Sequence, residues 1–242
     1  MIKKHDKVIF LLPYAGGNAY SLNGLAEGLT FTDVIPLELP GRGKRIREKL
    51  ETDLNKVIRD LHSKIILESR KYKEYYIYGH SLGTLLGYLV IQKIRRNNER
   101  KPSAFFVSGR GGPSLEETEK YYLLPSKEFR AKLKELGGSP NEVLDDESLM
   151  DFFEPIIRAD FELVETYQYN PSLPFDIPII GFFGDKEETT REDMLLWQKE
   201  TVYPVHIFEL SGNHFFILDH WEFIASKIKD TILNIPNIEK TF

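Results

Sequence analysis

Apolar residues along the chain alternate between two regimes. Short, nearly continuous runs occur at residues 7–13 (K-V-I-F-L-L-P), 33–39 (D-V-I-P-L-E-L), 75–78 (Y-Y-I-Y) and 103–108 (S-A-F-F-V-S). Their length and their β-branched and aromatic content suit strands, the most continuous of them strands buried on both faces. Between them, apolar positions recur three and four apart. Residues 18–29 read as a helix. Residues 53–69 carry Leu54, Val57, Ile58, Leu61, Ile65 and Ile66 on one stripe, and residues 85–94 repeat the spacing. Strand and helix alternating through short loops predict an α/β architecture, a mostly parallel sheet flanked by helices with right-handed crossovers.

The alternation breaks after Gly109, and residues 112 to about 170 show no strand pattern. Ser126 is placed to cap a helix through Leu136, ending at Gly137-Gly138-Ser139-Pro140. Residues 147–167 form a longer helical stretch with Pro155 inside it as a kink or break. Leu149, Met150, Phe152, Phe153, Ile156, Ile157, Phe161 and Val164 make that stretch apolar on more than one side. A helical hairpin packed on the core is one reading. A lid with an apolar underside above the carboxyl ends of the strands, where ligands of such sheets bind, is the favoured one. The strand–helix pattern resumes with a strand at 176–183, a helix at 190–200, a strand at 202–210 and a closing helix at 215–235. Residues 1–242 are expected to form one domain carrying a helical insertion at about 112–170.

One junction carries chemistry. Between the strand at 75–78 and the following helix lies Gly79-His80-Ser81-Leu82-Gly83, a G-x-S-x-G. Glycine and serine fill turns for structural reasons alone, so the motif by itself is weak. Set where a strand must turn at once into a helix, it reads as a nucleophile elbow, the signature of the α/β-hydrolase fold. The elbow pushes Ser81 past the sheet to a helix N-terminus, where free N–H groups and the helix dipole favour developing negative charge.

A serine needs a base, and the base an orienting carboxylate, both later in the chain and both in loops at strand carboxyl ends. Of six histidines, His5 and His62 precede the serine. His80 sits within the elbow with its ring aimed into the sheet packing, His206 lies in a strand, and His220 some way into the last helix. His214, after Ser211-Gly212-Asn213, is the candidate base. The acid comes from the loop after Phe183, which offers Asp185, Glu187 and Glu188. The third position after the strand-ending Gly184 is Glu187, ranked ahead of Asp185, and both stay open. The oxyanion hole needs two N–H donors, for which Leu82 follows the nucleophile and Ala15 lies in the Pro13-Tyr14-Ala15-Gly16-Gly17 loop.

Composition narrows the setting. The chain has no cysteine, which excludes disulfides, thiolate ligands and a cysteine nucleophile. A net charge of −5 without a global basic bias argues against nucleic acid as a partner. No run approaches the length of a membrane span, and residues 1–6 lead straight into a strand, so no signal peptide, no membrane association and a cytoplasmic address are expected.

Several stretches together resemble the type II thioesterases of nonribosomal peptide and polyketide synthesis. They are Leu12 to Gly17, Leu39-Pro40-Gly41-Arg42-Gly43, the elbow, Leu124-Pro125, Leu136-Gly137-Gly138, Arg158-Ala159-Asp160-Phe161, and Gly212-Asn213-His214-Phe215-Phe216. The likeness covers nearly the whole chain, and the insertion motifs make it more specific than the elbow alone. One departure is the acid loop, where that family commonly has Asp at the position of Glu187. The resemblance implies hydrolysis of acyl or aminoacyl thioesters from the phosphopantetheine arm of carrier-protein domains, an editing role that clears misprimed arms. No metal or organic cofactor is implied, since the substrate brings the phosphopantetheine, and a monomer is expected. Arg42, Lys44 and Arg45, with Arg47 and Lys49, follow a strand carboxyl end and could dock an acidic carrier; a solvated loop is the alternative. Lys93, Arg95, Arg96, Arg100 and Lys101 end a helix on the opposite face and read as structural. Competing readings are a carboxylesterase or acyltransferase of the same fold acting on free small substrates, and a binding module, which would lack a triad member.

Overall fold

The computed structural model of the chain describes residues 4–116, 118–137 and 144–234. The expected turn at Gly138-Ser139-Pro140 and the end of the closing helix at Ile235 lie outside the described residues. Strands β1 (Lys7–Leu12), β2 (Asp33–Pro36), β3 (Glu74–His80), β4 (Phe105–Ser108), β5 (Ile179–Gly184) and β6 (His206–Leu210) form one sheet in the order β2-β1-β3-β4-β5-β6. Every pairing is parallel. The apolar runs are continuous because the strands are buried on both sides. Val8, Phe10, Leu12, Tyr75, Ile77, Phe105 and Val107 face helices α2 (Leu54–Ser69) and α3 (Leu82–Arg96). Their alternates Ile9, Leu11, Tyr76, Tyr78, Phe106 and Phe182 face α1 (Asn23–Gly28) and α7 (Trp221–Asn234).

The strand order puts the functional loops side by side. From β1 the chain moves to β2 on one flank, then returns to β3 on the other and continues outward. That reversal opens a crevice at the carboxyl ends of β1 and β3, the usual ligand position of such sheets.

Between β4 and β5 lie α4 (Ser126–Leu136) and α5 (Glu147–Glu165). Two expectations change here. Ser126 is the first helical residue and not a side-chain cap; Pro125 precedes it, and the Ser126 hydroxyl turns toward Glu154. Helix α5 is not broken at Pro155: it is continuous from Glu147 to Glu165, with Met150 and Ile156 on either side of the proline both buried. Elsewhere β3 and α3 are longer than the sequence pattern suggests, whereas several other elements are shorter. Helix α6 (Arg191–Leu195), closed at Thr190 by a reciprocal capping box with Asp193, tightens into a 3₁₀ turn at Leu196–Glu200. The closing helix begins only at Trp221, after a 3₁₀ turn at Phe216–Leu218. His220 therefore precedes that helix, its ring on Ser211 O at 2.8 Å. Among the described residues, no helix is long and apolar enough to cross a membrane.

Candidate active site

Strand β3 ends at His80 and α3 begins at Leu82, so Ser81 alone makes the turn. It does so at φ 54° and ψ −114°, backbone that L residues rarely adopt. The flanking glycines are sterically required. A Cβ on Gly79 would lie 2.3 Å from the Gly83 carbonyl carbon, and one on Gly83 2.0 Å from Leu12 O. The turn is clamped to the end of β4: Ser81 N donates to Ser108 O (2.8 Å) and Ser108 N to Thr84 Oγ1 (3.1 Å). Ser81 is held half-buried where the first-turn amides of α3, Leu82 among them, have no partner within the helix.

Strands β5 and β6 end in register, Gly184 opposite Leu210, so the loops leaving them run together. Asp185 N donates to Leu210 O (2.8 Å), Lys186 N to Gly212 O (3.0 Å), and Gly212 N to Asp185 Oδ1 (2.8 Å). Zipped in this way, the loops set Glu187 against His214. His214 Nδ1 lies 2.7 Å from Glu187 Oε2, while Glu187 Oε1 accepts Gly184 N–H at 2.7 Å. The Glu187 side chain is 1% exposed and that of His214 20% exposed. A carboxylate only accepts, so Nδ1 carries the proton and Nε2 presents its lone pair. Of the two candidate acids, the structure pairs Glu187 with the imidazole and ties Asp185 into the loop backbone.

His80 does more than fill the sheet. Its ring is fully buried, with Nε2 2.9 Å from the backbone carbonyl of His214 and Nδ1 2.9 Å from Ser108 Oγ. The carbonyl cannot donate, so Nε2–H donates to it and the Ser108 hydroxyl donates to Nδ1. Burial, and then the neighbouring His214, push the His80 imidazole well below the ordinary histidine range. Gly109, at φ 60°, leaves room for the ring, since a Cβ there would meet His80 Cε1 at 2.5 Å.

In the loop after β1, Gly16 N donates to Asp160 Oδ2 (2.7 Å) and Gly17 N to Tyr14 O (2.9 Å). Both neighbouring amides are thus committed, and Ala15 stands at the cavity wall beside Ser81. The expected carrier-facing role of Arg42 is overturned. Arg42 is 5% exposed; its two Nη atoms engage Asp160 and one also donates to Gly17 O (3.3 Å), so it cannot meet a partner's surface. Arg45 is half-buried and already neutralised by Glu48 and Asp60. Lys44 is exposed, as are Arg47 and Lys49.

Ser81, Ala15, Glu187 and His214 line one cavity of about 330 Å³. Its floor is the strand-end loops; Leu133, Leu136, Ile157, Phe161 and Val164 of α4 and α5 close it from above. Two residues that matter to this site escaped the sequence reading. His80 faces the loop of His214, and Asp160 reaches the loop of Ala15 from the inserted helix. Arg158-Ala159-Asp160-Phe161 was visible as a motif, but a motif does not say what it touches.

The fold, the serine elbow and the His–Glu pair above it define an α/β-hydrolase of the serine type. Residues 7–232 match the thioesterase domain family, and the chain belongs to that family of thioester-cleaving hydrolases. Gramicidin S biosynthesis protein GrsT of Aneurinibacillus migulanus is 30% identical over 214 residues, 87% of this chain and 83% of that protein. The RedJ thioesterase of the prodiginine pathway in Streptomyces coelicolor superposes with a TM-score of 0.85 at 28% identity, covering 93% of this chain and 85% of that one. The type II thioesterase BorB of the borrelidin biosynthetic cluster does so with a TM-score of 0.83 at 30% identity, covering 93% and 91%.

Proposed function

We propose that this enzyme hydrolyses acyl and aminoacyl thioesters from the phosphopantetheine arm of carrier-protein domains, clearing misprimed arms in nonribosomal peptide or polyketide synthesis. The observation that carries the reading is the His214–Glu187 pair at 2.7 Å lining the same cavity as Ser81. In this scheme the Ser81 hydroxyl adds to the thioester carbonyl as its proton passes to His214 Nε2. The oxyanion is held by the Ala15 and Leu82 N–H groups. The C–S bond then breaks, and the thiolate of the arm leaves with the proton from His214. Water next attacks the acyl-Ser81 ester while giving a proton to His214, and the carboxylic acid departs as Ser81 regains it.

Glu187 holds the imidazole in the tautomer this requires. The apolar roof suits a pantetheine arm and a short acyl group. Lys44, with Arg47 and Lys49, supplies the exposed positive charge for an acidic carrier. The enzyme needs no cofactor of its own and works as a cytoplasmic monomer beside its synthetase.

The test is release of acetyl or aminoacyl groups from a loaded carrier domain, wild type against Ser81→Ala, with the same groups on a small free thioester and a free ester in parallel. Faster clearance from the carrier, reduced on the order of 10⁴-fold or more by Ser81→Ala, is expected. Preference for free esters would replace the carrier-directed reading with an esterase. No turnover of any substrate would leave a binding module.

A further inference from the structure

Two motifs have no part in the triad: Pro40-Gly41-Arg42-Gly43 and Arg158-Ala159-Asp160-Phe161. They meet beneath the loop that carries Ala15. The Asp160 side chain is 1% exposed, and its Oδ2 accepts both the Gly16 N–H, at 2.7 Å, and an Arg42 Nη. Arg42 Nη2 reaches Oδ1 at 2.7 Å, and Nη1 spans to Gly17 O at 3.3 Å. The turn after Ala15 is thus gripped at the Gly16 N–H by a carboxylate from α5 and at the Gly17 carbonyl by a guanidinium from the loop after β2. Gly16 stands at φ 76°, and a Cβ there would meet Ile157 Cγ1 at 2.8 Å, so α5 presses directly on this turn.

The loop that carries Arg42 is itself held in place. Glu38 accepts Ala19 N–H (3.0 Å) and Lys44 N–H (2.7 Å), bracing both loops from the far side. An ion pair this deep is an expensive way to join a helix to a loop, because each charge must be stripped of water and repaid by its partner. Its geometry is bidentate and directional, which fixes orientation where apolar packing would not.

We propose that Asp160 and Arg42 are positioning residues for the oxyanion hole: the inserted helix aims the Ala15 N–H at the reacting carbonyl oxygen through Asp160, so a competent hole exists only while α5 is seated. This rests on the assignment of Ala15 and Ser81 above. Because the hole binds the oxyanion and not the ground-state carbonyl, loss of the clamp lowers kcat and leaves KM nearly unchanged.

The experiment compares wild type with Asp160→Asn and with the double variant Arg42→Met/Asp160→Leu. The double variant leaves no unpaired buried charge, so it keeps the test alive if the single variant fails to fold; near-UV circular dichroism and thermal melts report on folding. Two readouts are taken. One is kcat and KM on carrier-bound acyl groups. The other is the rate at which a p-nitrophenyl alkylphosphonate captures Ser81, which forms the Oγ–P bond, expels p-nitrophenolate and places the phosphoryl oxygen in the hole. Folded double variant should show kcat and capture rate both falling by roughly 10- to 100-fold, with KM within about threefold of wild type. A folded double variant with wild-type capture and kcat would overturn the proposal, as would a loss confined to KM. Capture needs no carrier. Wild-type enzyme that is captured, with slowed capture in the variant, but releases nothing from carriers would refute the carrier-directed function and leave this inference standing.

Discussion

The floor of the cavity is made of strand ends and its roof of two helices, and different forces hold them. On the floor, position is dictated by backbone. Gly79 and Gly83 have no room for a side chain, Ser81 is bent into a rare conformation, and the loops after β5 and β6 are zipped by three backbone-directed hydrogen bonds. The roof is held by side chains. Phe129, Leu133, Leu144 and Met150 form a small core of their own, apart from the two large clusters on the sheet faces. Around it, Arg130 Nε and Arg158 Nη2 each bond Glu154 at 2.7 Å, and the Arg158 guanidinium lies 4.2 Å from the Phe129 ring centroid. Only the C-terminal half of α5 is rooted in the main core, through Leu163. The floor is therefore expected to keep one geometry and the roof to loosen without the sheet unfolding. Asp160 sits where the two regimes join.

The largest effect should come from breaking the floor. Gly83→Ala sets a methyl carbon against Leu12 O at 2.0 Å, between two backbone segments that cannot yield. We expect a loss of more than about 3 kcal/mol or no folded protein, read by urea denaturation; a variant within 1 kcal/mol of wild type would contradict the steric account.

Next, the two acids of the β5 loop should separate sharply. Glu187→Gln preserves shape but disturbs the His214 tautomer, and should lower kcat by roughly 10³- to 10⁴-fold, about 4–5.5 kcal/mol of barrier. Asp185→Asn keeps an oxygen for Gly212 N–H and should cost less than about tenfold. Equal losses from the two would erase the distinction between pairing and loop bracing.

The roof responds locally. Phe129→Ala empties its core, at a cost of about 3–5 kcal/mol. Hydrogen exchange should quicken in α4 and the first half of α5 while β3 and β4 keep their protection. Uniform loss of protection would show that roof and floor unfold as one unit.

The smallest effect is a pH dependence. His80 is kept neutral by burial in the folded chain, whereas the unfolded chain takes up a proton near the usual value of about 6.5. The unfolded state then binds more protons below that pH, so this contribution is intact above about 6.5 and fades on acidification, by at most about 1.4 kcal/mol per pH unit. Measured as urea midpoints between pH 7 and 5.5, wild type should fall more steeply than His80→Gln; parallel slopes would remove His80 from the account.

Local pattern alone located most of the frame. Runs of two-sided apolar residues marked the strands, three-four periodicity marked α2 and α3, and the glycines around Ser81 announced a turn with no space for side chains. These features depend on neighbours within a few residues, so the chain states them directly. The order of candidate groups, serine before acid before histidine, also followed from a rule of chain direction.

What failed to show were relations across the fold. Arg42 reads as one more basic residue in an exposed loop until the inserted helix brings Asp160 over it from 118 positions away. Position after Gly184 ranks Glu187 ahead of Asp185 but leaves both open, and only the zipped loops after β5 and β6 turn one toward His214 and the other into the backbone. His80 reads as sheet filler until the His214 carbonyl arrives above its ring. The sequence by itself determined which segments are strands, which are helices and where a nucleophile could stand. Tertiary structure decided which charges are paired and buried, because the desolvation and partner of a side chain depend on distant segments that only folding brings into contact.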